Sequence, residues 1–288
     1  MNWIRLCCAA EADEAWALAV ELEKHGALSV SLRPDEASAA LLEPEPGAAP
    51  LWDGLLVEAL FAARAEAESA AAALGTEHAC TLEVCADQDW IAAGRAGFAP
   101  RRYGERLWIV PDWCEPPEPA AVNVAIAPGL AFGTGTHPST GLCLEWLAAA
   151  PLADATVIDY GTGSGILAVA AAKLGAARVF AVDTDPQALE AARANAGRND
   201  VTVALSAPEA LAVRDADVLI ANILARPLVM LATEFCARVR RGGRIVLAGI
   251  TDEQADSVAA AYVPEARVSR RMTRDGWTCL ELLRVARD

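Results

Sequence analysis

The segment ATVIDYGTGSG (155–165) constrains the fold of this chain more than any other. An apolar run through Val157 and Ile158 meets an acid, Asp159, and then glycines at alternate positions, 161, 163 and 165. The run reads as a buried strand, and ILAVAAAKLGA after it has the length and composition of a helix. The glycines therefore occupy a strand-to-helix turn, where backbone without Cβ atoms can approach a ligand closely.

Two nucleotide-binding readings of that turn fail on spacing. A P-loop needs a Gly-Lys pair, and the chain contains none. A dinucleotide fingerprint needs GxGxxG, and here the third glycine comes one residue early. The next strand, VFAVDTDP, places Asp183 at a strand end, twenty residues after Gly163. A carboxylate there is where an α/β ligand site takes hold of ribose hydroxyls. Pro186 reads as the first residue of a helix, with Asp185 or Thr184 as its cap. Asp183 has no such local explanation, which leaves it as the candidate ribose ligand.

The rest of the chain supplies two kinds of pattern. Before residue 95, WIRLCC, ALSVSL, GLLVEALFA and CTLEVCA read as strands around two helices, a ferredoxin-like α+β order. A proline-rich stretch, VPDWCEPPEPAAVN (110–123), reads as a linker, whose expected bounds are 96–120. From 121 onward, strand-length apolar runs (TVIDY, RVFAVD, VTVAL, DVLIANI, RIVLAGI) alternate with helical segments, as in a parallel sheet covered on both faces. The tail differs. Two strand-like runs flank Asp275-Gly276, which predicts an antiparallel hairpin. The basic run in that tail, RVSRRMTR, reads as an exposed strand face.

Composition excludes several classes. Hydrophobic residues are 54% of the chain and mean hydropathy is +0.26, yet no uncharged apolar run of spanning length occurs. No signal peptide is visible in MNWIRLCCAAEADEAW, so a cytoplasmic protein is expected. The eight cysteines form no CxxC pair, which argues against a zinc site or any other metal centre, and they read as small hydrophobes. Residues 1–95 hold 17 acids against 5 bases, while 96–288 hold 22 against 19. That acidic front suits a basic partner and argues against sequence-specific nucleic-acid binding.

The pair DYGTGSG and VDTD resembles the class I S-adenosylmethionine-dependent methyltransferases. The resemblance implies a Rossmann-like seven-stranded sheet with its last strand reversed, preceded here by the smaller N-terminal α+β domain. Two further stretches, IAPGLAFGTGTHPST (126–140) and ANILARPL (221–228), look like signatures of the ribosomal protein L-eleven methyltransferase family. Carried over by position, the resemblance implies that Thr140, Gly161, Gly163, Asp183, Asn222 and Phe132 surround S-adenosylmethionine. It implies methylation of lysine ε-amines and the N-terminal α-amine of ribosomal protein L-eleven, with residues 1–95 recognising that protein and 121–288 carrying the catalysis. Asn222 is then the candidate to position the amine. His137, ahead of Pro138, is expected to cap or pack a loop rather than act as a base. Competing readings are a lysine methyltransferase for another protein and a non-catalytic cofactor-binding module.

Overall fold

The computed structural model describes residues 3–35, 54–75, 78–85, 99–127 and 136–285. The chain divides into two compact units, Met1–Gly97 and Phe98–Asp288. Among the described residues no helix is long and apolar enough to cross a membrane.

In the first unit, β1 (Trp3–Glu11), α1 (Ala15–Lys24), β2 (Ser29–Pro34), β3 (Gly54–Phe61), α2 (Arg64–Ala73) and β4 (Cys80–Cys85) follow in order. The sheet order is β2-β3-β1-β4, antiparallel throughout, the ferredoxin-like arrangement expected from the strand pattern. Strict alternation does the sorting. Ile4, Leu6, Cys8 and Ala10 point inward with Leu55, Val57, Ala59 and Phe61, onto Leu18 and Leu22 of α1. Two of the eight cysteines are not simple hydrophobes: Cys8 and Cys80 stand directly opposite each other on β1 and β4 and form a disulfide. Their separation of 72 residues hides that pairing from the sequence.

The second unit begins earlier than expected. The segment read as a linker contributes β5 (Arg101–Tyr103) and β6 (Leu107–Pro111), which join β7 (Val122–Ile126) in a three-stranded sheet. Tyr103, Leu107 and Ile109 are buried in the main core, so this stretch is part of the unit and not a tether. Pro116, Pro117 and Pro119 fall in the connection between β6 and β7, inside the unit, where no ladder N–H is needed.

The main sheet contains β8 (Thr156–Tyr160), β9 (Arg178–Val182), β10 (Ala204–Ser206), β11 (Ala216–Asn222), β12 (Val239–Thr251), β13 (Ala266–Arg274) and β14 (Trp277–Arg284). Their order is β10-β9-β8-β11-β12-β14-β13. All pairings are parallel except those of β14, the reversed strand. Asp275 and Gly276, both at positive φ, make the tight turn of the β13–β14 hairpin. The sheet is covered on both faces. On one side α3 (Pro138–Ala149) and α4 (Ile166–Lys173) pack on Val157, Ile220 and Val246. On the other, α6 (Ala225–Met230), α7 (Ala232–Arg238) and α8 (Ala255–Ala261) pack on Ile158, Leu219 and Leu247. This double cover is why the strands read as continuous apolar runs. Helix α5 (Pro186–Arg198) follows β9.

Candidate active site

The glycine turn leaves β8 at the carboxyl edge of the sheet. Gly161 and Gly163, at φ +77° and +53°, are partly exposed, while Thr162 and Ser164 between them are buried. The backbone therefore presents its glycines outward and anchors its side chains inward. The N–H groups of Gly161 and Thr162 both donate to Val182 O, at 2.8 and 2.9 Å.

Asp183 closes the turn from the neighbouring strand. Its Oδ2 accepts from Gly163 N at 2.8 Å and its Oδ1 from Asp185 N at 3.0 Å. The expectation that Asp183 lacks a structural duty is thus corrected: it braces the turn, and this could not be read from a strand-end position alone. A carboxylate has about four acceptor sites, so a half-buried Asp183 keeps capacity for ligand hydroxyls. Asp185 caps α5 as expected, accepting from Gln187 N at 2.8 Å, with Pro186 at the first helical position.

Beneath the turn lies a residue to which sequence reasoning gave no role. Asp159 is fully buried, and its Oδ2 accepts from Thr162 Oγ1 at 2.6 Å and Ala168 N at 3.0 Å. Its Oδ1 is buried without a partner among the described residues. Burial, opposed by those two hydrogen bonds and reinforced by nearby Asp183, pushes its carboxyl up to about 7. An acid inside an apolar strand was the available signal. Asn195 of α5 was also missed. Its Nδ2 donates to Ser164 O at 2.8 Å and its Oδ1 accepts from Ala127 N at 3.2 Å, tying the turn to the end of β7. Asn199, one turn on, accepts from Ala125 N at 2.8 Å and donates to Ala125 O at 2.7 Å.

Asn222 ends β11 at the same carboxyl edge, and its Nδ2 donates to Thr140 Oγ1 at 3.1 Å. Two residues singled out separately, 82 positions apart, therefore meet. With Nδ2 donating to Thr140, the amide offers its Oδ1 as acceptor. Phe132 lies outside the described residues. His137 is the cap of α3: its Nδ1 accepts from Ser139 N at 3.3 Å and lies 2.7 Å from Ser139 Oγ. Its ring packs edge-on against Trp277, and burial lowers its pKa. Replacing His137 by Ala should lower stability by about 1 kcal/mol, the usual cost of a lost cap. The pH profile of turnover should keep its shape, and loss of a pH-dependent limb would instead make His137 a base.

A family model described as ribosomal protein L11 methyltransferase matches residues 2–284. The chain belongs to that family. A relative from Azotobacter vinelandii, named ribosomal protein L11 methyltransferase, is 45% identical over 99% of this chain and 100% of its own length. One of the same name from Pseudomonas fluorescens is 46% identical over 79% of this chain and 81% of its own. Among solved structures, a ribosomal protein L11 methylase from Lactobacillus delbrueckii subsp. bulgaricus is 31% identical, with a TM-score of 0.61. It covers 66% of this chain and 100% of its own, and supports the family fold described above.

Proposed function

We propose that this family member transfers methyl groups from S-adenosylmethionine to amines of ribosomal protein L11, namely lysine ε-amines and the N-terminal α-amine. The observation that carries the reading is the Thr140–Asn222 pair beside the glycine turn, at one edge of the sheet. Ligands of open α/β sheets bind at that edge.

The residues fit such a cofactor. Asp183 keeps lone pairs for the two hydroxyls of a ribose, and Gly161 and Gly163 are partly exposed backbone with no side chain of their own. Thr140 and Asn222 would close the site beyond them. Bound there, S-adenosylmethionine supplies an electrophilic methyl group on a positively charged sulfur. The chain's own task is to hold a neutral amine in line with that methyl. At pH 7 an ordinary lysine sits over three units below its pKa, which makes deprotonation cost roughly 4–5 kcal/mol. A desolvated site next to positive charge reduces that cost. Asn222 Oδ1 accepts an amine N–H and so aims the nitrogen lone pair, and positioning of this kind removes much of the entropic barrier. Solvent takes the proton, and each further methylation needs another proton lost.

The acidic first unit supports a basic protein as substrate and is assigned its recognition, with the second unit, Phe98–Asp288, assigned the catalysis. A ribosomal protein as substrate supports a cytoplasmic location. Mass spectrometry of purified ribosomal protein L11, incubated with this protein and cofactor, should show steps of +14 Da. These should disappear with Asp183→Ala. Cofactor binding by calorimetry without any mass change would favour a different protein substrate or a non-catalytic module.

A further inference from the structure

One residue packs against the glycine turn on one side and against β12 on the other. Ile223 follows Asn222 and donates its N–H to Ala248 O at 3.2 Å. Its backbone lies on Gly249, where a Cβ would stand 2.5 Å from the Ile223 carbonyl oxygen and 2.9 Å from the carbonyl carbon. Its side chain lies on Gly161, where a Cβ would stand 2.3 Å from Ile223 Cγ2. The missing side chain at Gly161 thus makes room for Ile223. Gly249, at φ +84°, sits where the β12–β14 register shifts, between Leu247 and Ile250.

We propose that Ile223 is a positioning residue: wedged between Gly161 and Gly249, it sets the distance from the glycine turn to the Asn222 side chain. The inference rests on the reading of Asn222 as the group that aims the amine. The glycine turn has independent supports, in Val182 O, Asp183 and Asp159. Asn222 has fewer, namely Thr140 on its side chain and the last register position of β11 against Ala248. Loosening the wedge therefore displaces Asn222 more than the turn. The contact is made by Cγ2, the methyl on the β-carbon, and β-branching holds that methyl in one χ1 well. Displacement by about 1 Å at a reacting geometry can lower the rate about a hundredfold.

The contact atom dictates the test. Ile223→Val and Ile223→Thr keep Cγ2, whereas Ile223→Leu and Ile223→Ala lose it, Leu without loss of volume. For each variant we would measure kcat and KM for ribosomal protein L11, cofactor Kd by calorimetry, and the melting curve. The branched pair should stay within about threefold of wild-type kcat, and the unbranched pair should lose about tenfold or more, with KM and cofactor Kd within about threefold. Two branched and two unbranched variants keep the comparison decisive if one fails to fold. Wild-type kcat in the unbranched variants overturns the proposal. So does a rise in cofactor Kd that matches the fall in kcat, because it makes Ile223 a cofactor-site residue. Failure of the wild-type enzyme to methylate ribosomal protein L11 overturns the functional reading instead, and shows before any variant is made.

Discussion

Asp183→Ala is expected to weaken S-adenosylmethionine binding about a hundredfold or more. Charge-assisted hydrogen bonds to a ribose contribute about 1.5–3 kcal/mol, or roughly tenfold to a hundredfold in affinity. The structure adds a second loss, because the same carboxylate holds the N–H groups of Gly163 and Asp185. With Ala in place, Gly163 N has no acceptor and the turn is no longer tied to the neighbouring strand. Stability should fall as well, by about 1 kcal/mol for each of the two lost hydrogen bonds. Asp183→Asn separates the contributions. Its amide keeps one oxygen but turns an NH2 toward one of the two N–H donors, so one bond survives and the other becomes a donor–donor clash. Calorimetry on both variants decides: unchanged cofactor Kd in Asp183→Ala would remove Asp183 from the cofactor site.

The second large effect is in stability against pH. The Asp159 carboxyl stands at about 7 in the folded protein, against about 4 for an unfolded chain. Between those values the folded state holds a proton that the unfolded state has released, so stability falls as pH rises through the window. Above it, the full penalty of a buried charge remains. Asp159→Asn keeps a carbonyl oxygen for Thr162 and Ala168 and carries no charge at any pH. Relative to wild type, the variant should therefore gain on the order of 3–4 kcal/mol between pH 4 and pH 8. Denaturant titrations of both proteins at several pH values measure that difference. Parallel pH dependences would mean that Asp159 is not the group whose ionisation burial suppresses.

Local chemistry explains which features were legible. A cap at Asp185 or Thr184, just ahead of Pro186, was legible because both preferences act within one turn of chain. Asp275-Gly276 announced its hairpin because the turn needs positive φ at both positions. The apolar runs announced a doubly covered sheet because burial on both faces removes alternation. The same locality explains the linker error: the prolines between β6 and β7 signal irregular backbone but not whether a core lies around it. It also explains Cys8 and Cys80, whose pairing is set by the β1–β4 register and not by their spacing in the chain.

By itself, then, the sequence determined the strand-to-helix turn, the strand-end carboxylate, the reversed hairpin and the acidic first unit. Each depends on residues within a few positions of one another, or on composition summed over a segment. Only the tertiary structure decided what those residues do to each other. It gave Asp183 a brace to hold and Asp159 a buried charge to suppress. It set Asn222 against Thr140, and placed Ile223 where two glycines leave space. The contacts of Asp183 with Gly163, Asn222 with Thr140 and Ile223 with the two glycines join positions twenty or more residues apart. They exist because strands in parallel register bring their carboxyl ends to one edge, which no local preference specifies.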